Sequence, residues 1–92
     1  MQTVHVRITG RVQGVGYRAW TVEHARKMGV KGWVRNRRDG SVEAIFQGEE
    51  KYVFKLLGLC EDGPLLARVS NVLVDDVKAE TAYEGFLPLD TL

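Results

Sequence analysis

The chain has 92 residues, 45% of them hydrophobic and 27% charged, with a formal net charge of +1, which is ordinary for a soluble globular protein and predicts one domain over residues 1–92 with one modest core. No apolar run approaches the ~20 residues of a membrane-spanning helix, and the N-terminus carries no basic-then-apolar leader pattern. The lone cysteine, Cys60, excludes an internal disulfide, so a cytoplasmic location without a membrane partner is expected.

Charge is spread unevenly. Residues 1–40 hold nine Lys/Arg and two Asp/Glu, whereas residues 41–92 hold four Lys/Arg and ten Asp/Glu. A positive field over the first part favours an anionic ligand, unless the fold mixes the two parts and cancels it.

Thr3–Thr9 alternates, with Val4, Val6 and Ile8 facing one way and Thr3, His5, Arg7 and Thr9 the other. This predicts a half-buried strand. Gly10-Arg11-Val12-Gln13-Gly14-Val15-Gly16-Tyr17-Arg18 follows. A glycine-rich turn between a strand and a helix start can aim successive backbone N–H groups at an anion, and the helix N-terminus adds unpaired donors. Arg18 in the first helical turn can close over a phosphate with its planar fork. Such turns also occur simply because the chain must reverse, and both readings stand at this point. Ala19 rules out Gly-x-Gly-x-x-Gly, and no Lys-Ser or Lys-Thr follows, which argues against the common nucleotide loops.

From Tyr17 to Met28 the period is helical: Tyr17, Thr21, Val22, Ala25 and Met28 share a face, Ala19, Glu23, Arg26 and Lys27 point away, and Gly29 is a helix stop. Val30–Arg37 predicts a second strand, with Gly32, Val34 and Asn36 on one face and Lys31, Trp33, Arg35 and Arg37 on the other. Asp39-Gly40 signals a hairpin to Val42–Gln47. Val53, Leu56, Leu57 and Cys60 mark a second helix over Glu49–Cys60. Val69–Asp75 reads as a strand, Asp75-Asp76 as a solvated turn, and Tyr83–Leu87 as a short last strand limited by Pro88. This order predicts an α+β, ferredoxin-like βαββαβ sandwich: an antiparallel sheet, two helices on one face and a short extra C-terminal strand. In this arrangement the strand from residue 30 can lie beside the first strand, where Asn36, on the same face as Val34, approaches the loop that precedes the first helix.

The loop at 10–18, followed by Gly32-Trp33-Val34-Arg35-Asn36, resembles the acylphosphatase family: a Gly-x-Val-Gln-Gly-Val-x-aromatic-Arg loop and a Gly-aromatic-x-x-Asn strand at the expected separation. Asp39-Gly40, Gly48 and Gly63-Pro64…Ala67-Arg68-Val69 extend the likeness over nearly the whole chain. The resemblance implies hydrolysis of the carboxyl–phosphate anhydride of a small-molecule acyl phosphate. It maps the essential arginine onto Arg18 and the essential asparagine onto Asn36. The phosphate-binding loop maps onto Gln13, Gly14, Val15, Gly16, Tyr17 and Arg18, and inorganic phosphate or a similar anion is an expected ligand. Tyr17 stands where phenylalanine is usual and Gly16 where a larger side chain is frequent. The family usually ends in a strand of alternating charges, unlike Gly85-Phe86-Leu87-Pro88-Leu89.

The chemistry suits so sparse a site. The leaving carboxylate is a weak base, with a conjugate acid of pKa about 4, and phosphoryl transfer chiefly needs its oxygens held and their charge balanced. No cofactor, metal or phosphoenzyme is expected. No side chain is assigned to the acyl group, so substrate breadth is expected, and a small single-core chain favours a monomer.

The rival classes are weaker. Trp33 with Arg35, Arg37 and Arg38 suggests a nucleic-acid module, but the first and third strands lack the exposed aromatics of that class, so no nucleic-acid partner is expected. A regulatory anion-binding domain without turnover does not need both Arg18 and Asn36. A metal carrier of this fold would want Cys-x-x-Cys, which is missing. His5 and His24 stand apart from other ligand types and read as surface or boundary residues, and Cys60 as core.

Overall fold

The computed structural model describes residues 1–78 and 81–92. The elements are β1 (Gln2–Arg11), α1 (Tyr17–Met28), β2 (Lys31–Asn36), β3 (Val42–Gly48), α2 (Glu50–Cys60), β4 (Arg68–Asp76) and β5 (Phe86–Pro88). They form the ferredoxin-like sandwich with strand order β4-β1-β3-β2-β5. Pairing is antiparallel between β1 and β3, β1 and β4, and β2 and β3. The added β5 runs parallel to β2, so the sheet as a whole is mixed.

One expectation of topology is corrected. β2 does not lie beside β1, because β3 stands between them. The tight turn at Asp39-Gly40 commits β3 to β2, with Asn36 opposite Val42, and β1 takes the other edge of β3, with His5 opposite Ile45. The last strand also differs. Tyr83 donates its N–H to Gln47 Oε1 at 2.8 Å, so its backbone is engaged before the ladder begins at Phe86. Gly32 N–H donates to the Gly85 carbonyl and Leu89 N–H to the Val34 carbonyl. Pro88 falls between these bonds on the sheet edge, where its missing N–H faces away from β2. Asp75 and Asp76 belong to β4, opposite His5 and Val4, rather than to a turn.

The helices share one face of the sheet. Val4, Val6 and Ile8 from β1, Val34 from β2, and Val42, Ala44 and Phe46 from β3 are buried in one cluster with α1 (Tyr17, Val22, Ala25) and α2 (Val53, Leu56, Cys60). Tyr17 hydroxyl donates to the Cys60 carbonyl at 2.6 Å inside this core, tying the start of α1 to the end of α2. Burial, together with the neighbouring Cys60, raises the Tyr17 phenol far above its usual range. Among the described residues no helix is long and apolar enough to cross a membrane.

The opposite face is organised by one buried carboxylate. Glu43 accepts from His5 Nε2 at 2.6 Å, Arg35 Nε at 2.8 Å and Arg37 Nη1 at 3.3 Å. Burial alone would raise its pKa, but the hydrogen bonds from His5 and Arg35 and their charges prevail, leaving it below the ordinary 4.5.

Two outcomes follow. Tyr17→Phe leaves the Cys60 carbonyl without its buried donor and should cost about 1–2 kcal/mol in urea unfolding. A carboxylate whose folded pKa is depressed stabilises the fold above its unfolded value and loses that contribution as pH falls through the folded value. Glu43→Gln should therefore destabilise at pH 7, with the difference from the unaltered chain shrinking as pH drops below the ordinary 4.5. An equal difference in unfolding midpoint at both pH values would count against this role.

Candidate active site

The site begins where β1 leaves the sheet. The pairing of β1 with β4 shifts register between Thr9 and Gly10. A Cβ at Gly10 would lie 2.2 Å from the Arg68 carbonyl oxygen, so glycine permits the close approach. Val12 is buried and anchors the loop to the core. Gly14 and Gly16 then take φ of 72° and 79°, the left-handed region where side chains are strained. Gly16 is also the N-cap of α1.

No side chain caps α1, and no acid stands in its first turn. The orphan N–H groups of that turn and the positive end of the helix dipole are thus uncompensated by side chains, an arrangement that favours an anion. Arg18 is half-buried, and its Nη1 donates to the Leu89 carbonyl at 3.3 Å, a long contact compared with a typical ~2.9 Å bond. Asn36 closes β2 on the same face as buried Val34. Gly14, Gly16, Tyr17, Arg18 and Asn36 all line one cleft of 840 Å³.

Gln13 and Val15 do not line it. Val15 packs against the core. The Gln13 side chain reaches to the hairpin: its Nε2 donates to the Arg37 carbonyl at 2.7 Å and the Ser41 carbonyl at 2.8 Å. The loop is thereby fastened to the β2–β3 hairpin next to Asn36, despite the intervening strand. The sequence pattern placed Gln13 in the loop but gave no sign of this use of its side chain.

A family model described as Acylphosphatase matches residues 4–88. The chain belongs to the acylphosphatase family. It is 54% identical over 79 residues to an acylphosphatase of Rhodospirillum rubrum, covering 86% of this chain and 87% of that one. It is 47% identical over 94 residues to one of Bradyrhizobium diazoefficiens, covering 97% and 95% respectively. The fold superposes on the crystal structure of acylphosphatase from Bacillus subtilis with a TM-score of 0.93 at 29% identity, covering 97% of this chain and 99% of that one.

Against the family pattern, Tyr17 keeps the ring of the usual phenylalanine and adds the bond to Cys60. Of the basic residues that suggested nucleic acid, Arg35 and Arg37 bond Glu43, the Arg35 guanidinium lies 4.7 Å over the Trp33 ring, and Arg38 is exposed. His5 is a boundary residue, half-buried against Glu43, and His24 Nδ1 lies 3.2 Å from the Trp20 carbonyl. Cys60 is fully buried, and burial pushes its thiol up to about 12, as suits a packing residue. Among the described residues no group of three or more His, Cys, Asp or Glu is placed to hold a metal ion.

The Gln13 fastening predicts that Gln13→Ala lowers stability by about 1–2 kcal/mol. It should also weaken the stabilisation conferred by inorganic phosphate, read as a smaller rise in Tm on phosphate titration.

Proposed function

We infer that the chain is an acyl phosphate hydrolase whose chemistry takes place where the start of α1 meets the end of β2. The observation that carries this reading is the convergence of Arg18, Asn36 and an uncapped helix N-terminus on one cleft. The phosphoryl group binds to backbone N–H groups of the loop at 13–18 and to the Arg18 guanidinium. These donors balance the charge of its oxygens throughout the transfer. Asn36 hydrogen-bonds a water and aims it in line at phosphorus, opposite the departing carboxylate. The water's proton passes to a phosphate oxygen of the substrate itself. The P–O bond to the acyl carboxylate breaks as the P–O bond to water forms, and no phosphoenzyme arises.

In this reading Leu89 positions Arg18: a carbonyl acceptor on the C-terminal segment holds the guanidinium before substrate arrives. Residues 1–92 act as one enzyme unit, a cytoplasmic monomer with a phosphate-binding loop. The products are a carboxylate and inorganic phosphate.

Phosphate release from acetyl phosphate in the presence of EDTA tests the reading. The unaltered chain should turn over. Arg18→Lys keeps the charge but loses the fork and should reduce kcat/KM on the order of 10²–10³-fold. Asn36→Ala should lower kcat by about 10²-fold while retaining phosphate binding, because its partner is the water. Loss of phosphate binding in a folded Asn36→Ala chain, or a trapped phosphoenzyme, would overturn the assigned roles.

A further inference from the structure

The cleft is larger than a phosphoryl group needs. Its 840 Å³ extend past Arg18 along α1 to Lys27, and Pro88 of β5 forms part of the lining. Arg18 and Lys27 are nine residues apart on one helix, a rise of about 13 Å. The middle of this arm is apolar at Ala19, Val22 and Pro88; its far end carries Arg26, Lys27 and Glu23. Apart from Arg18, the lining therefore holds two cations and one acid.

We propose that this arm is a subsite for the acyl group, selective for acyl phosphates that bear a second anionic group at the distal end of an apolar chain. The inference rests on the hydrolase reading above and adds a substrate class to it. It also revises the expectation of substrate breadth, which came from finding no side chain near the phosphate site to read the acyl part.

At 3.6 residues per turn Arg18 and Lys27 flank the arm from opposite sides of α1, with Arg26 between them. Cβ atoms tilt toward a helix N-terminus, so Arg26 and Lys27 lean back toward the phosphate end. Lys27 shows this lean directly: its Nζ meets Glu23 Oε1, one turn earlier, at 3.1 Å. Both partners are well exposed, so the pair contributes little and readily exchanges for a ligand anion. Arg26 is held differently. Its Nε and Nη2 both donate to the Phe86 carbonyl, at 3.1 and 2.9 Å. Its Nη1 makes no hydrogen bond among the described residues. A guanidinium oriented by β5 thus stands beside an exposed ammonium at the far end of the arm. The phosphoryl group occupies one end of such a ligand, and the distal carboxylate or phosphate the other.

Adipoyl phosphate and hexanoyl phosphate test this, since they share chain length and leaving-group acidity and differ in the distal carboxylate. With acetyl phosphate as the reference, the unaltered chain should favour adipoyl over hexanoyl phosphate in kcat/KM by about 3- to 10-fold at low salt, chiefly through KM. The preference should fade as ionic strength rises. Lys27→Glu should abolish or reverse it. Turnover of acetyl phosphate with no adipoyl preference, or an unchanged preference in Lys27→Glu, overturns the subsite and leaves the hydrolase reading intact. No turnover of acetyl phosphate by the folded chain overturns the hydrolase reading, and the subsite with it.

Discussion

One amide side chain ties the two halves of the candidate site directly together. Gln13 spends both hydrogens of its Nε2 on carbonyls of the β2–β3 hairpin, those of Arg37 and Ser41. Apart from that fastening, the loop and Asn36 are related through the sheet, with β3 lying between their parent strands, and through Leu89, which accepts from Arg18 and donates to the Val34 carbonyl. Asn36 directly precedes Arg37, so fixing the Arg37 carbonyl also fixes the end of β2. Misplacement by about 1 Å can cost a hundredfold in rate, which makes a short polar strut of this kind more consequential than its ~1 kcal/mol per hydrogen bond suggests.

Charge is sorted by face. Arg7, Arg35 and Arg37 surround Glu43 on the face away from the helices, and Arg7 also meets Asp39. Much of the positive excess of the first forty residues is answered there. What remains near the cleft comes from α1, as Arg18, Arg26 and Lys27. The C-terminal segment supports two of these without adding formal charge: the Leu89 carbonyl accepts from Arg18 and the Phe86 carbonyl from Arg26. Backbone dipoles thus orient the guanidinium groups where a carboxylate would compete with an anionic ligand.

Where local and tertiary preferences agree, the elements were legible. The helix from Tyr17 to Met28 was predicted to the residue, because its apolar stripe meets the sheet and Gly29 stops it in the left-handed conformation. The candidate site residues were legible mainly through the family resemblance, which named Arg18 and Asn36 together. The neighbour of the strand from residue 30 was misplaced, since a strand's alternation states which face is buried but not which neighbour it takes. Glu43 was unreadable for a related reason. Alternation put it opposite Val42 and Ala44, as for any solvent-facing acid, and its partners come from residues 5, 35 and 37, on other parts of the sheet. The start of the last strand depended on Gln47 capturing the Tyr83 N–H, a side-chain event that strand propensity does not register.

The position of β1 has a consequence for how the molecule folds. The strand that launches the loop lies inside the sheet, paired with β3 on one side and β4 on the other. Its partners are distant in the chain; Val4, for example, stands opposite both Phe46 and Asp76. Each pairing closes a long loop before it gains contacts, an entropic barrier that slows topologies rich in non-local contacts. A nascent chain has therefore made the loop, Arg18 and Asn36 well before β4 exists to flank β1. The register shift at Gly10, which needs β4 against it, can form only after most of the chain has been synthesised, so the start of the 10–18 loop acquires its final shape at a late step of folding.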